Sequence, residues 1–198
     1  MLWRHGQTMW NVEHRFQGQT DIPLDETGEA QAEYAARRLA TLRPDAIFSS
    51  DLTRAASTAA PLARLASLTV TLDKDLRERF GGDWEGLSDK DIAERYPAER
   101  VTWNPPNGEP TAAVADRVCR ALTRIAATLS DGQLAVVVSH GAALRLGMER
   151  LLGLPEDASG ALGPLSNCSW SVLAHRNRWR LLEHNAGTLP EPVLGDDR

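Results

Sequence analysis

Two His-Gly pairs carry the chemistry of this 198-residue chain: Arg4-His5-Gly6 at its start and Ser139-His140-Gly141 far downstream. Each directly follows an apolar stretch, Met1-Leu2-Trp3 in one case and Leu134 to Val138 in the other. The carboxyl end of a strand, before the turn into the next element, is where open α/β sheets place ligand-binding groups. Two imidazoles at two such ends can meet in space although the sequence separates them. One has an arginine beside it, which suits a site that holds an anion and attacks it.

The elements that must position these groups alternate. Asp25 caps a helix expected to run to about Leu42, with Ala32, Ala35, Leu39 and Leu42 on one stripe. Ala46-Ile47-Phe48 and Val70 to Leu72 are short strands. Ser50 is expected to cap a helix carrying Arg54, and Pro61 to kink that helix or end it early. Ser88 and Asp91 pair as a cap for a helix ending near Tyr96-Pro97. The strongest helix spans about 111–129, a continuous apolar strand covers 134–139, and 142–152 is helical. Residues 168–174 and 179–184 form a hairpin. This order predicts an α/β fold, a three-layer α/β/α sandwich with a mostly parallel central sheet and an antiparallel C-terminal hairpin. One domain over residues 1–189 is expected, with a flexible tail from 190 to 198.

Composition bounds the function. A formal net charge of −5 gives no bulk attraction to nucleic acid or to an acidic membrane, so anion binding needs a local basic cluster. Two cysteines, Cys119 and Cys168, make no disulfide framework and no C-x-x-C pair. Neither a signal peptide nor a membrane span is visible, and a cytoplasmic location is the expectation.

Arg4-His5-Gly6-Gln7-Thr8, followed by Trp10-Asn11 and Arg15-Phe16-Gln17-Gly18, resembles the opening signature of the histidine phosphatase superfamily. Its resemblance continues through Ser49-Ser50-Asp51-Leu52-Thr53-Arg54-Ala55, Leu76-Arg77-Glu78, Trp84-Glu85-Gly86-Leu87 and Val138-Ser139-His140-Gly141. Ser166 to Trp170 and Trp179 to Leu181 further resemble the glucosyl-3-phosphoglycerate phosphatases and related broad phosphatases. A lone Arg-His-Gly would be weak, because a single His before Gly is more often a loop residue. A set of ordered motifs spanning nearly the whole chain is strong. The resemblance implies a phosphoglycerate mutase-like fold and a phosphomonoesterase acting on a sugar phosphate or phosphoglycerate-type ester.

The implied roles are chemically coherent. Arg4 and Arg54 offer forked donors to phosphate oxygens. His140 adds a hydrogen bond and can be protonated beside the dianion. His5, as nucleophile, attacks phosphorus and forms a phosphohistidine, its other nitrogen donating to a fixed acceptor such as a backbone carbonyl. Glu78 is the acid/base position, on a short loop after a strand, with Asp75 and Glu85 as nearby competitors. Asn11, Gln17, Gly18 and Gly141 are expected to reach the phosphate or substrate, while His14, His175 and His184 are expected at the surface or in the hairpin. No cofactor and no metal is expected, since arginines already supply positive charge. The expected partner is a small-molecule phosphate ester, with no nucleic acid, no membrane, and a homodimer left open.

Hydrolysis is favoured over mutase chemistry by two features. The segment between the acid/base loop and His140 is short and lacks an adjacent arginine pair, and Gln17 stands where mutases usually carry Thr. A non-catalytic phospho-ligand-binding member would lack a core residue, and none is missing. Three departures stand out: only three residues precede Arg4, the run before the long helix reads Asn107-Gly108-Glu109-Pro110, and Gly81 follows Arg79-Phe80. The first leaves a shortened strand or a start upstream as alternatives; the others bear on substrate choice.

Overall fold

A computed structural model describes residues 1–155, 158 and 160–187. The expected tail from residue 190 lies outside them. In chain order the elements are β1 (Leu2–Arg4), α1 (Met9–Val12), α2 (Glu26–Ala40), β2 (Ala46–Ser49), α3 (Thr53–Ala66), β3 (Val70–Leu72), α4 (Asp89–Arg95), α5 (Pro97–Thr102), α6 (Thr111–Ala126), β4 (Ala135–Ser139), α7 (Gly141–Leu152), β5 (Trp170–His175) and β6 (Trp179–Ala186).

Period-two alternation builds the layers. On one sheet face Leu2, Ala135 and Val137 pack with Val114, Val118 and Leu122 of α6 and Leu144 and Met148 of α7. On the other, Trp3, Ile47, Val136 and Val138 pack with Ala32, Ala35 and Leu39 of α2 and Ala55, Ala59 and Leu62 of α3. All of β4 is buried, as a strand covered on both faces must be. The six strands run in the order β3-β2-β4-β1-β5-β6. The first four are mutually parallel, while β5 pairs antiparallel with β1 and β6. The predicted sandwich with its hairpin is therefore the observed fold.

Three residues suffice for β1 because it lies between two partners. Its ladder also continues at both ends: Val137 N–H donates to Met1 O at 2.9 Å, Arg4 N–H to Ser169 O at 2.9 Å and His5 N–H to Ser139 O at 3.0 Å. The last bond ties His5 to the strand that carries His140.

Local expectations held where a cap is local. Asp25 accepts from Gly28 N–H at the start of α2, and Ser88 and Asp91 form a reciprocal cap on α4. They failed where distant partners decide. Ser50 does not cap α3; Leu52 is the residue before it, and Asp21 accepts from Thr53 N–H and Oγ, both at 2.7 Å. Helix α3 runs through Pro61 to Ala66, because Ala59, Pro61 and Leu62 are buried and that packing outweighs one missing hydrogen bond. Leu42 lies beyond the end of α2 and is exposed rather than on its apolar stripe. The Gln7 to Leu24 loop contains the short helix α1, and Pro97 opens a further helix, α5, that the sequence reading passed over.

Candidate active site

The carboxyl ends of β1 and β4 are adjacent, and their histidines meet with ring centroids 5.2 Å apart. His5 Nδ1 lies 2.7 Å from the Gly6 carbonyl. A carbonyl only accepts, so Nδ1 carries the proton and the Nε2 lone pair is left for chemistry. Gly6 is held in turn, its N–H donating to Thr58 Oγ1 at 3.0 Å. His140 Nε2 pairs with Ser50 Oγ at 2.9 Å, and its buried Nδ1 has no protein partner among the described residues. Burial first, then the charges of Arg54 and Arg4, hold His5 well below the usual imidazole value. The same burial, with Arg54, His5 and Arg4, holds His140 down. Both rings are therefore neutral before an anion arrives.

Two arginines face this pair. Arg54, in the first turn of α3, is fully buried and donates to Thr20 O at 2.9 Å and Gly18 O at 2.7 Å. Burial lowers its pKa to about 10, which leaves it charged at neutral pH, and its buried Nε has no partner among the described residues. Arg4 donates through Nη1 to the Leu165 carbonyl. Gly18 has a φ of +53°, and a Cβ there would meet Glu85 Oε1 at 2.0 Å, so a side chain would strain the backbone and displace Glu85. Gln17 is buried, and its Oε1 has no partner among the described residues.

Glu78 follows a single 3₁₀ turn, Lys74–Leu76, rather than the strand itself. Its carboxylate accepts from Arg79 N–H at 2.8 Å, Ala142 N–H at 3.2 Å and Ala143 N–H at 2.9 Å, the last two at the N-terminus of α7. The loop is braced from behind by Arg117. That guanidinium pairs with both Glu109 oxygens at 2.7 and 2.8 Å and donates to the carbonyls of Asp75, Arg77 and Glu78. The competitors are engaged elsewhere. Glu85 accepts from Gln19 N–H, Thr20 Oγ1 and Gly81 N–H, and Asp75 pairs with Arg124.

A cavity of about 570 Å³ opens onto this set, lined by Arg4, His5, Asn11, Gln17, Gly18, Arg54, Glu78 and Ala142. Phe16, Arg79, Asp89, Arg100, Trp103, Thr111 and Arg145 extend its wall. His140 is fully buried, and it and Gly141 are not part of that lining. Asn11 lines the cavity, yet its Oδ1 serves the loop, accepting from Thr8 N–H and Oγ1 and from Asn167 Nδ2. His14, expected at the surface, is exposed and also lines the cavity. Two further residues support this set. Ser50 lies in the Ser49-Ser50-Asp51 motif and contacts His140 rather than capping α3, whereas Arg117 carries no local sequence signal.

The sequence matches the family model described as histidine phosphatase superfamily (branch 1) over residues 1–187. It is 36% identical to a glucosyl-3-phosphoglycerate phosphatase of Mycolicibacterium vanbaalenii, over 90% of this chain and 84% of that protein. It is 37% identical to a probable phosphoglycerate mutase GpmB of Citrobacter koseri, over 86% of this chain and 81% of that protein. The structure superposes on mycobacterial glucosyl-3-phosphoglycerate phosphatase complexed with VO3 with a TM-score of 0.88 and 38% identity, covering 94% of this chain and 98% of the other.

Proposed function

This chain belongs to the histidine phosphatase superfamily and is a phosphomonoesterase, and we propose that His5 takes the phosphoryl group from a small phosphorylated metabolite. The observation that carries the assignment is the neutral His5 with its Nδ1 proton fixed on Gly6, set beside the Arg4 and Arg54 charges. Nε2 attacks phosphorus in line while Arg4, Arg54 and His140 spread the charge of the transferring group. The phosphorus–oxygen bond to the alcohol breaks, and Glu78 in its acid form protonates the leaving oxygen. Water then attacks phosphorus, gives its proton to Glu78, and inorganic phosphate leaves as the phosphorus–nitrogen bond breaks. Gln17 and Gly18, which line the cavity, position the anion, and Asn11 acts through the loop it holds.

The relatives' names favour a sugar phosphate or phosphoglycerate-type ester as substrate. The proposal places the enzyme in the cytoplasm, alone or as a homodimer, and the net charge of −5 speaks against a nucleic-acid partner. Among the described residues no helix is long and apolar enough to cross a membrane. The mutase reading rests on relatives such as GpmB and is separated by one assay. Phosphate release from p-nitrophenyl phosphate and 3-phosphoglycerate is expected without a bisphosphorylated primer. His5→Ala is expected to lose at least about 10³-fold in kcat. Acid-labile, alkali-stable label on the quenched enzyme identifies phosphohistidine; unchanged turnover in His5→Ala would remove His5 from the reaction.

A further inference from the structure

We propose that Arg145 is a second anion-binding point in the cavity, and that it takes the carboxylate of a phosphomonoester that is also a carboxylic acid. The proposal rests on the phosphomonoesterase reading above and narrows its substrate.

Arg145 lies in the second turn of α7 and lines the same cavity as His5 and Glu78. Its side chain is only 15% exposed, yet it makes no hydrogen bond to any described residue, and its Nε is buried without a partner. The nearest counter-charge is Glu149 Oε1 at 3.9 Å, beyond hydrogen-bonding distance and already accepting from Gly160 N–H at 3.0 Å. The other arginines of the outer wall are committed. Arg79 donates to Glu109 O, Trp103 O and Asn104 Oδ1, Arg100 pairs with Asp89, and Arg15 holds Glu13 and Gly86 O.

A buried N–H without a partner is costly, and an anion arriving at Arg145 Nε removes that cost. A planar fork of N–H donors matches a carboxylate better than it matches neutral sugar hydroxyls. Ala142, whose N–H meets Glu78, precedes Arg145 by three residues on α7, a rise of about 4.5 Å, and both line the cavity. Thr111 lines the same cavity at the first position of α6, a helix with no side-chain cap, so N–H donors and the positive end of a helix dipole reinforce the charge.

The test compares kcat/KM for 3-phosphoglycerate, glycerol 3-phosphate and p-nitrophenyl phosphate. The wild type is expected to prefer 3-phosphoglycerate over glycerol 3-phosphate at least tenfold. Arg145→Gln is expected to lower kcat/KM for 3-phosphoglycerate roughly 10- to 100-fold more than for p-nitrophenyl phosphate, mainly through KM, the effect of one charged hydrogen-bonded pair. Arg145→Lys should recover part of that ratio. Equal losses on both substrates, or no wild-type preference, overturn the proposal. If Arg145→Gln does not fold, the wild-type preference and the Lys variant decide it. Absence of turnover on every ester in the wild type would instead sink the phosphomonoesterase reading.

Discussion

His5 attacks only as the free base, so its charge state sets the acid limit of the reaction. Burial and then Arg54 and Arg4 hold it well below the ordinary 6.5. Lowering the pH through 6.5 should therefore not protonate it, and kcat/KM should persist into the range where an exposed histidine would have failed. A pH profile on p-nitrophenyl phosphate, corrected for ionisation of the ester, checks this; an acid limb near 6.5 would contradict it. Arg54 can be judged against Arg77 by burial. Arg77 pairs with Asp51 at 2.7 Å, but the pair is partly exposed and its loss should cost no more than about 1 kcal/mol of stability. Replacing buried Arg54 with Gln removes a phosphate donor and frees the carbonyls of Gly18 and Thr20 together. We expect kcat to fall about 10²- to 10³-fold in Arg54→Gln, as for loss of a preorganised donor, while Arg77→Gln stays within a few-fold.

At the scale of elements, the acid/base loop has no regular structure of its own, so Arg117 on α6 must hold it. Arg117→Ala should remove the guanidinium from three carbonyls and from the Glu109 carboxylate, and a loss of about 3 kcal/mol is the expected order. Because the loop carries Glu78, kcat should fall more for poor leaving groups than for p-nitrophenolate, which needs less proton assistance; equal losses would mean a purely structural role. Helix α7 offers a contest of magnitudes at Gly147. Gly→Ala inside a helix gains up to about 1 kcal/mol in propensity. A Cβ there would meet Val118 Cγ1 at 2.4 Å, and overpacking costs about 1–3 kcal/mol. The clash should win, giving a lower Tm for Gly147→Ala by thermal denaturation. These cases also show what the sequence can and cannot disclose. The His5 and His140 positions were legible because an apolar run ending in His-Gly is a local pattern. So were the caps at Asp25 and Ser88, whose partners lie three residues away. The Ser50 contact with His140 and the Arg117 brace each join residues dozens of positions apart, with no periodicity to mark them. Helix α3 survives Pro61 for the same reason, since its packing is tertiary.

For the molecule as a whole, the fold places the carboxyl ends of four parallel strands on one edge, and burying two histidines there couples activity to stability. Each is neutral in the folded state and has a lowered pKa, so the unfolded chain binds more protons once the pH drops below 6.5. Stability then rises with pH in that window: the contribution is complete above about 6.5 and is lost progressively as the pH falls below it. Each histidine adds at most about 1.4 kcal/mol per pH unit to that slope, which is sizeable beside a total of about 5–15 kcal/mol. The Asp51 carboxylate, held low by the Arg77 hydrogen bond, acts in a separate window, its contribution being lost only below its usual value of 3.8. Urea denaturation should therefore show the free energy of unfolding falling between pH 6.5 and 5, where carboxylates contribute little. Exchanging one ring for a non-titrating residue, as in His140→Asn, should flatten the slope even if it lowers the overall stability. Saturating inorganic phosphate should flatten it too. An anion beside the rings makes an imidazolium tolerable, so proton uptake should accompany phosphate binding near pH 6 and be measurable by calorimetry in buffers of different ionisation enthalpy. A slope unchanged by both His140→Asn and phosphate would mean that the two histidines do not carry the acid sensitivity.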